Sequence, residues 1–83
     1  MVQLKKVVVY SADYCGFCTK TKEWLTKQKV PFTVLDVTKP EIQDEFIKYN
    51  VQGIPLTLIT DEKTGQTEQV IGYNLEKLAA ALF

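Results

Sequence analysis

Cys15-Gly16-Phe17-Cys18 holds the only two cysteines of this chain, standing between an apolar strand-like run and a helix-like one. At this spacing two thiols can close a disulfide within one helical turn. A cysteine at a helix start meets unpaired backbone N–H groups and the positive end of the helix dipole, and both favour a thiolate. The first cysteine is then the nucleophile and the second the group that resolves a mixed disulfide. Ionisation serves the first sulfur less as an attacker than as a leaving group, because nucleophilicity falls as a thiolate is stabilised. Three other uses of two cysteines compete. A zinc centre needs about four ligands, and this sequence has no His and no further Cys. A structural disulfide closing so short a loop would remove little entropy from the unfolded chain. Two inert thiols would be small core hydrophobes. The strand-to-helix context favours the redox reading over all three.

The elements that must hold such a pair follow from hydrophobic patterning. Leu4 to Tyr10, with Val7-Val8-Val9 at its centre, is a continuous β-branched run that suits a central strand covered on both faces. From Gly16 to about Gln28, Cys18, Thr21, Trp24, Leu25 and Gln28 recur at helical spacing, while Lys20, Lys22, Glu23 and Lys27 form a solvated face. Pro31 blocks the helix, and β character resumes from Phe32 to Val37. A right-handed crossover would make these two strands parallel. Thr38-Lys39-Pro40-Glu41 reads as a capping box with Pro in the first turn. It opens a helix to about Asn50 whose apolar face carries Ile42, Phe46, Ile47 and Tyr49. Leu56 to Thr60 and Thr67 to Ile71 flank a turn-rich Asp61 to Gly65 and form a hairpin. Asn74 caps a last helix through Leu75, Leu78, Ala79 and Leu82. The order is βαβαββα.

Composition bounds the function. Eighty-three residues, 46% of them hydrophobic, suit one domain spanning 1–83. Ten lysines balance ten acidic residues, so charge points to neither nucleic acid nor an anionic membrane as a partner. No apolar stretch approaches the ~18–20 residues of a membrane span, and Met1 to Lys6 lacks the pattern of a secretory signal, so a cytoplasmic location is expected.

The segment Tyr10-Ser11-Ala12-Asp13-Tyr14-Cys15-Gly16-Phe17-Cys18 resembles the active-site segment of the glutaredoxin and small-thioredoxin family. Val51-Gln52-Gly53-Ile54-Pro55 resembles its second hallmark, a loop ending in a cis proline. Gly72-Tyr73 stands where that family has a glycine turn before the last helix. The resemblance spans essentially the whole chain. It implies a thioredoxin-like α/β fold, a four-stranded mixed sheet flanked by three helices. It further implies a thiol-disulfide oxidoreductase with catalytic Cys15 and Cys18 and no tightly bound cofactor beyond its redox-active disulfide. Pro55 would be cis, leaving the Ile54 backbone free to pair with an extended substrate. Tyr14, Phe17 and Tyr73, with Gly16 and Gly72, would form an apolar docking rim.

Several positions depart from the parent patterns. Glutaredoxins usually carry Pro-Tyr between the cysteines, Thr-Val before the cis proline, paired glycines before the last helix and a Lys shortly before the first Cys. This chain has Gly16-Phe17, Gly53-Ile54, Gly72-Tyr73 and Ser11-Ala12-Asp13. Thioredoxins carry Trp before the first Cys and a buried Asp six residues before it, where Tyr14 and Val9 stand here. The chain is thus similar to small redoxins that take the glutaredoxin shape but are reduced by thioredoxin reductase and NADPH, with glutathione as the alternative reductant. The implied partners are disulfide-containing client proteins, ribonucleotide reductase among them, served by a monomer. A different use of the same scaffold is a carrier in which two chains bridge one [2Fe–2S] cluster through Cys15, with glutathione as the other ligands.

Overall fold

The computed structural model describes residues 5–50 and 53–82. Leu4, where the first strand was expected to begin, and Val51-Gln52 of the second hallmark lie outside that range. The elements run β1 (Lys5–Ser11), α1 (Gly16–Lys27), β2 (Thr33–Asp36), α2 (Pro40–Ile47), β3 (Leu56–Asp61), β4 (Thr67–Ile71) and α3 (Leu75–Leu82). This is the expected βαβαββα order.

One four-stranded mixed sheet forms in the order β2-β1-β3-β4. β1 pairs parallel with β2, with Val9 opposite Val34, and antiparallel with β3, with Val9 opposite Thr57. β3 pairs antiparallel with β4, with Leu56 opposite Ile71. The alternation of strand side chains separates two apolar layers. On one face Val7, Val9, Ile59 and Val70 pack with Leu25 of α1 and with Leu78, Ala81 and Leu82 of α3. On the other, Tyr10, Leu56 and Leu58 receive Ile42 and Phe46 of α2 together with Tyr49. The Tyr10 ring tilts against Phe46 at 5.7 Å and against Tyr49 at 5.8 Å between centroids. Such pairs contribute about 0.5–1.5 kcal/mol beyond the area they bury. β1 is therefore the covered central strand that its valine run suggested.

Helix boundaries follow local chemistry. α1 stops short of Pro31 because Lys29 turns into the left-handed region, at φ 59°. The Lys29 N–H then donates to the Thr26 carbonyl, and the Val30 N–H to that of Leu25, a Schellman closure with buried Val30 as its apolar anchor. Asn74 caps α3 as expected, its Oδ1 accepting from the Lys77 N–H at 3.1 Å.

Some details of the helices differ from expectation. The N-cap of α2 is Lys39, with no side-chain cap, although Pro40 does occupy the first turn. Thr38 cannot close the capping box because its hydroxyl and its backbone N–H both donate to Asp36 Oδ1, at 2.6 and 2.9 Å. These two bonds hold the Asp36 carboxyl below its ordinary range. Ile47 is 65% exposed rather than part of the apolar face of α2. Positions 42 and 46 fall on one side of the helix, which ends at Ile47 rather than near Asn50, and Ile47 is rotated about 100° from Phe46. In α3, likewise, Ala81 joins Leu78 and Leu82 in the buried set, while Ala79 stays half-buried.

Candidate active site

β1 delivers the chain to the dithiol, and α1 begins immediately after it. Cys15 is the N-cap of α1, in extended conformation at φ −98° and ψ 110°. Its Sγ accepts the Cys18 backbone N–H at 3.1 Å. This is the geometry by which Ser or Asp oxygens cap helices, with sulfur in the oxygen's place. The Cys15 N–H in turn donates to the Ala12 carbonyl at 3.1 Å, closing the turn before the helix. Any charge on Cys15 Sγ thus meets a backbone donor and the positive end of α1.

The two sulfurs have opposite surroundings. Both are free thiols, with Cys15 half-exposed and Cys18 completely buried. Burial, followed by the hydrogen bond to Cys15, pushes the Cys18 thiol up to about 11. A backbone hydrogen bond from Ala12 and the charge of Lys22 pull more weakly the other way. Cys18 opens the buried stripe of α1, which continues through Thr21 and Leu25. The solvent-facing thiol can meet a substrate, and the buried one can reach only its partner.

The described part of the second hallmark has the expected backbone. The Ile54–Pro55 peptide is cis, and Pro55 is fully buried. The Pro55 carbonyl accepts the Gly72 N–H at 2.8 Å. Gly72 lies at φ +79°, a left-handed conformation that costs a side-chain-bearing residue more than it costs glycine. Gly53 and Ile54 are half-buried beside the dithiol.

The three aromatics expected to ring the dithiol are at the surface. Tyr14 is 80% exposed, Phe17 60% and Tyr73 37%. Phe17 and Tyr73 stack across the gap between α1 and the turn before α3, with centroids 6.4 Å apart and planes 21° apart. Lys20 Nζ lies over the Phe17 ring, 5.7 Å from its centroid. Lys20 lies on the exposed face of α1 as its pattern indicates, and its i, i+3 spacing from Phe17 brings it over the ring. Tyr14 instead lines a groove with Val37, Thr38, Gln43, Phe46 and Ile54. Val37, Thr38 and Gln43 carry no sequence signal for this role, because they come from a loop and a helix far from the dithiol in the chain.

Among the described residues no helix is long and apolar enough to cross a membrane. Residues 7–63 match the Glutaredoxin family. A Bacillus subtilis (strain 168) protein described as N-acetyl-S-hydroxy-L-cysteine reductase is 29% identical over 84 residues, covering 99% of this chain and 88% of that protein. The thioredoxin-like protein BC3987 superposes with a TM-score of 0.75 at 29% identity, over 93% of this chain and all of its own. The glutaredoxin-like NrdH-redoxin from Escherichia coli, described as having a thioredoxin-like activity profile, shares the fold. Its TM-score is 0.76 over 90% of this chain and 92% of its own, at 16% identity. With its dithiol, cis proline and sheet order in place, and with more than half of its length matched, the chain belongs to the glutaredoxin family.

Proposed function

We propose that the protein is a thiol-disulfide oxidoreductase that reduces protein disulfides through Cys15 and Cys18, with ribonucleotide reductase among its clients. The observation that carries this reading is the asymmetry of the pair: a half-exposed Cys15 capping α1 and a buried, protonated Cys18 one helical turn away. Cys15 attacks one sulfur of the client disulfide and expels the other as a thiolate, forming a mixed disulfide. Cys18 then loses its proton and attacks Cys15 Sγ. The Cys15–client bond breaks, the client leaves as a dithiol, and the protein holds a Cys15–Cys18 disulfide. Two electrons have passed to the client, and an external reductant returns them. The Ile54 backbone and the Tyr14, Phe17 and Tyr73 rings supply the docking surface, with Gly16 and Gly72 allowing close approach.

For the reductant, the departures at Ser11-Ala12-Asp13 and Gly72-Tyr73 remove groups with which the family holds the carboxylates of glutathione. Thioredoxin reductase with NADPH is therefore the favoured donor over glutathione. The cluster-bridging alternative uses Cys15 alone and leaves Cys18 without a task, whereas the dithiol cycle uses both.

The relative's activity supports a second substrate class. The S–OH bond of an S-hydroxycysteine derivative is cleaved by the same two attacks, with hydroxide leaving as water in the first. The groove between Tyr14 and Ile54 is open beside Cys15 and suits a compact acylated amino acid.

The deciding experiment compares turnover of insulin disulfide with thioredoxin reductase and NADPH against turnover with millimolar glutathione. Robust reduction in the first arm, lost in Cys15→Ser and trapped as a mixed disulfide in Cys18→Ser, is expected. Full insulin turnover by Cys18→Ser in the absence of glutathione would overturn the two-cysteine cycle. A brown dimer after anaerobic reconstitution with iron and sulfide, inactive on insulin, would make the carrier reading correct instead.

A further inference from the structure

In the dithiol cycle just proposed, on which this inference rests, Cys18 must shed its proton inside the protein. The titratable groups acting on its sulfur are Cys15 and Lys22. Neither is a base poised to take that proton, and the sequence contains no His. The structure places something else on this side of the sheet. Apart from the phenol of Tyr10, the buried polar residues described are three aliphatic hydroxyls, Ser11, Thr21 and Thr57.

The register places Thr57 on the face of the sheet that α1 covers. Thr57 stands directly across from Val9 on one side and Val70 on the other. Both valines belong to the apolar layer that Leu25 of α1 covers. Directly opposed residues in antiparallel strands point to the same face, so the Thr57 side chain faces α1. Cys18 and Thr21 precede Leu25 in the buried stripe of that helix, with Cys18 at the dithiol end. Extending the β1–β3 register by one residue sets Ser11 opposite Pro55, at the same end. Thr57, Thr21, Pro55 and Cys18 are all fully buried.

Thr21 has a local use, its Oγ1 donating to the Phe17 carbonyl at 3.0 Å. Thr57 has none: its Oγ1 is enclosed and has no partner among the described residues. An enclosed hydroxyl without a partner destabilises the fold as it stands, and its valine neighbours show that packing alone does not call for one. An unused donor of this kind fits an acceptor that forms only during the reaction.

We propose that the Thr57 hydroxyl donates a hydrogen bond to Cys18 Sγ as that sulfur ionises, stabilising the thiolate that resolves the mixed disulfide. The proton shed by Cys18 ends on the departing client thiolate or in solvent, the electron pair of the Cys15–client bond leaves with the client sulfur, and Thr57 keeps its own proton. The hydroxyl acts on the second attack only, because Cys15 draws its donor from the Cys18 backbone N–H.

The test separates the two attacks in time. Reduced protein mixed with excess dithionitrobenzoate releases one thionitrobenzoate when Cys15 attacks and a second when Cys18 displaces it. In Thr57→Val, which keeps the shape and removes the hydroxyl, the first release is unchanged. The second is about tenfold slower near pH 7, its pH limb displaced upward by about one unit. The Val variant is also at least as heat-stable as wild type, so the slower release cannot come from a damaged core. Thr57→Ser restores the second release, and Thr57→Ala gives the same reading should the Val variant not fold. A second release in Thr57→Val that coincides with wild type at every pH overturns the inference, as does a Ser variant as slow as Val. Failure of the dithiol cycle looks different, since wild type itself would then end without an internal disulfide, keeping thionitrobenzoate on Cys15 by mass, and Thr57→Val would have no internal displacement to slow.

Discussion

The buried Cys18 thiol should make the reduced protein lose stability in alkali. Burial favours the neutral thiol in the folded chain more than in the unfolded one, raising it from 9.0 to about 11. Folding is therefore supported by a protonated Cys18. That support is complete below about pH 9, falls between pH 9 and about 11, and is gone above. Two units at about 1.4 kcal/mol each give a loss of at most about 2–3 kcal/mol. A domain of this size has only about 5–15 kcal/mol in total, and the loss corresponds to roughly 10–20 °C in thermal midpoint. The assay is urea unfolding of reduced wild type and Cys18→Ala at pH 7, 9 and 11. Tyr10, raised to about 12 by burial and by Tyr49, adds its own loss in strong alkali. It does so in both proteins, so the difference between them isolates the thiol. The advantage of wild type over Cys18→Ala should shrink by about 2–3 kcal/mol across that range, while the oxidised wild type, with no thiol to titrate, should lack this component. An advantage that stays constant from pH 7 to 11 would refute the assignment of Cys18 as the buried, protonated partner, and the division of labour between the sulfurs with it.

Two further outcomes test the rim and the frame. Phe17→Ala should raise KM for a protein disulfide about three- to tenfold with kcat unchanged, as expected for losing an aromatic contact of about 0.5–1.5 kcal/mol. A small aliphatic disulfide should be turned over as by wild type, and steady-state kinetics on both substrates checks this. Asn74→Ala should cost about 1 kcal/mol in urea denaturation by leaving the Lys77 N–H without its cap, while the Cys15 alkylation rate stays fixed.

Much of this was readable in the sequence because the signals are local. Two cysteines in a strand-to-helix context, β-branched runs between turn formers, and Asn74 ahead of an apolar repeat each state their role within a few residues. What escaped depends on competition or on distance. Thr38 has the spacing of a capping box, but Asp36, two residues earlier, takes its hydroxyl first. Ile47 is apolar and helical, yet its angular position rather than its type decides exposure. Lys29 gives no warning that it will adopt a left-handed backbone, because nothing in its side chain demands it and the Schellman bonds do. The groove beside Cys15 joins Tyr14, Gln43 and Ile54 from three parts of the chain, and only the β2-β1-β3 order brings them together.

The same distinction explains how the site divides its chemistry. Properties needed by Cys15 are supplied within one turn of helix: an N-cap position, a backbone donor from Cys18 and exposure, all consequences of where α1 begins. Properties needed by Cys18 come from elsewhere, since full burial of a helix residue requires α1 to be packed on the rest of the fold. Moving the dithiol motif to another helix N-terminus would therefore carry the attacking thiol with it but not the resolving one. The raised Cys18 thiol is a product of the whole fold. It keeps the second sulfur protonated until the mixed disulfide at Cys15 gives it a target, which holds the two attacks in order.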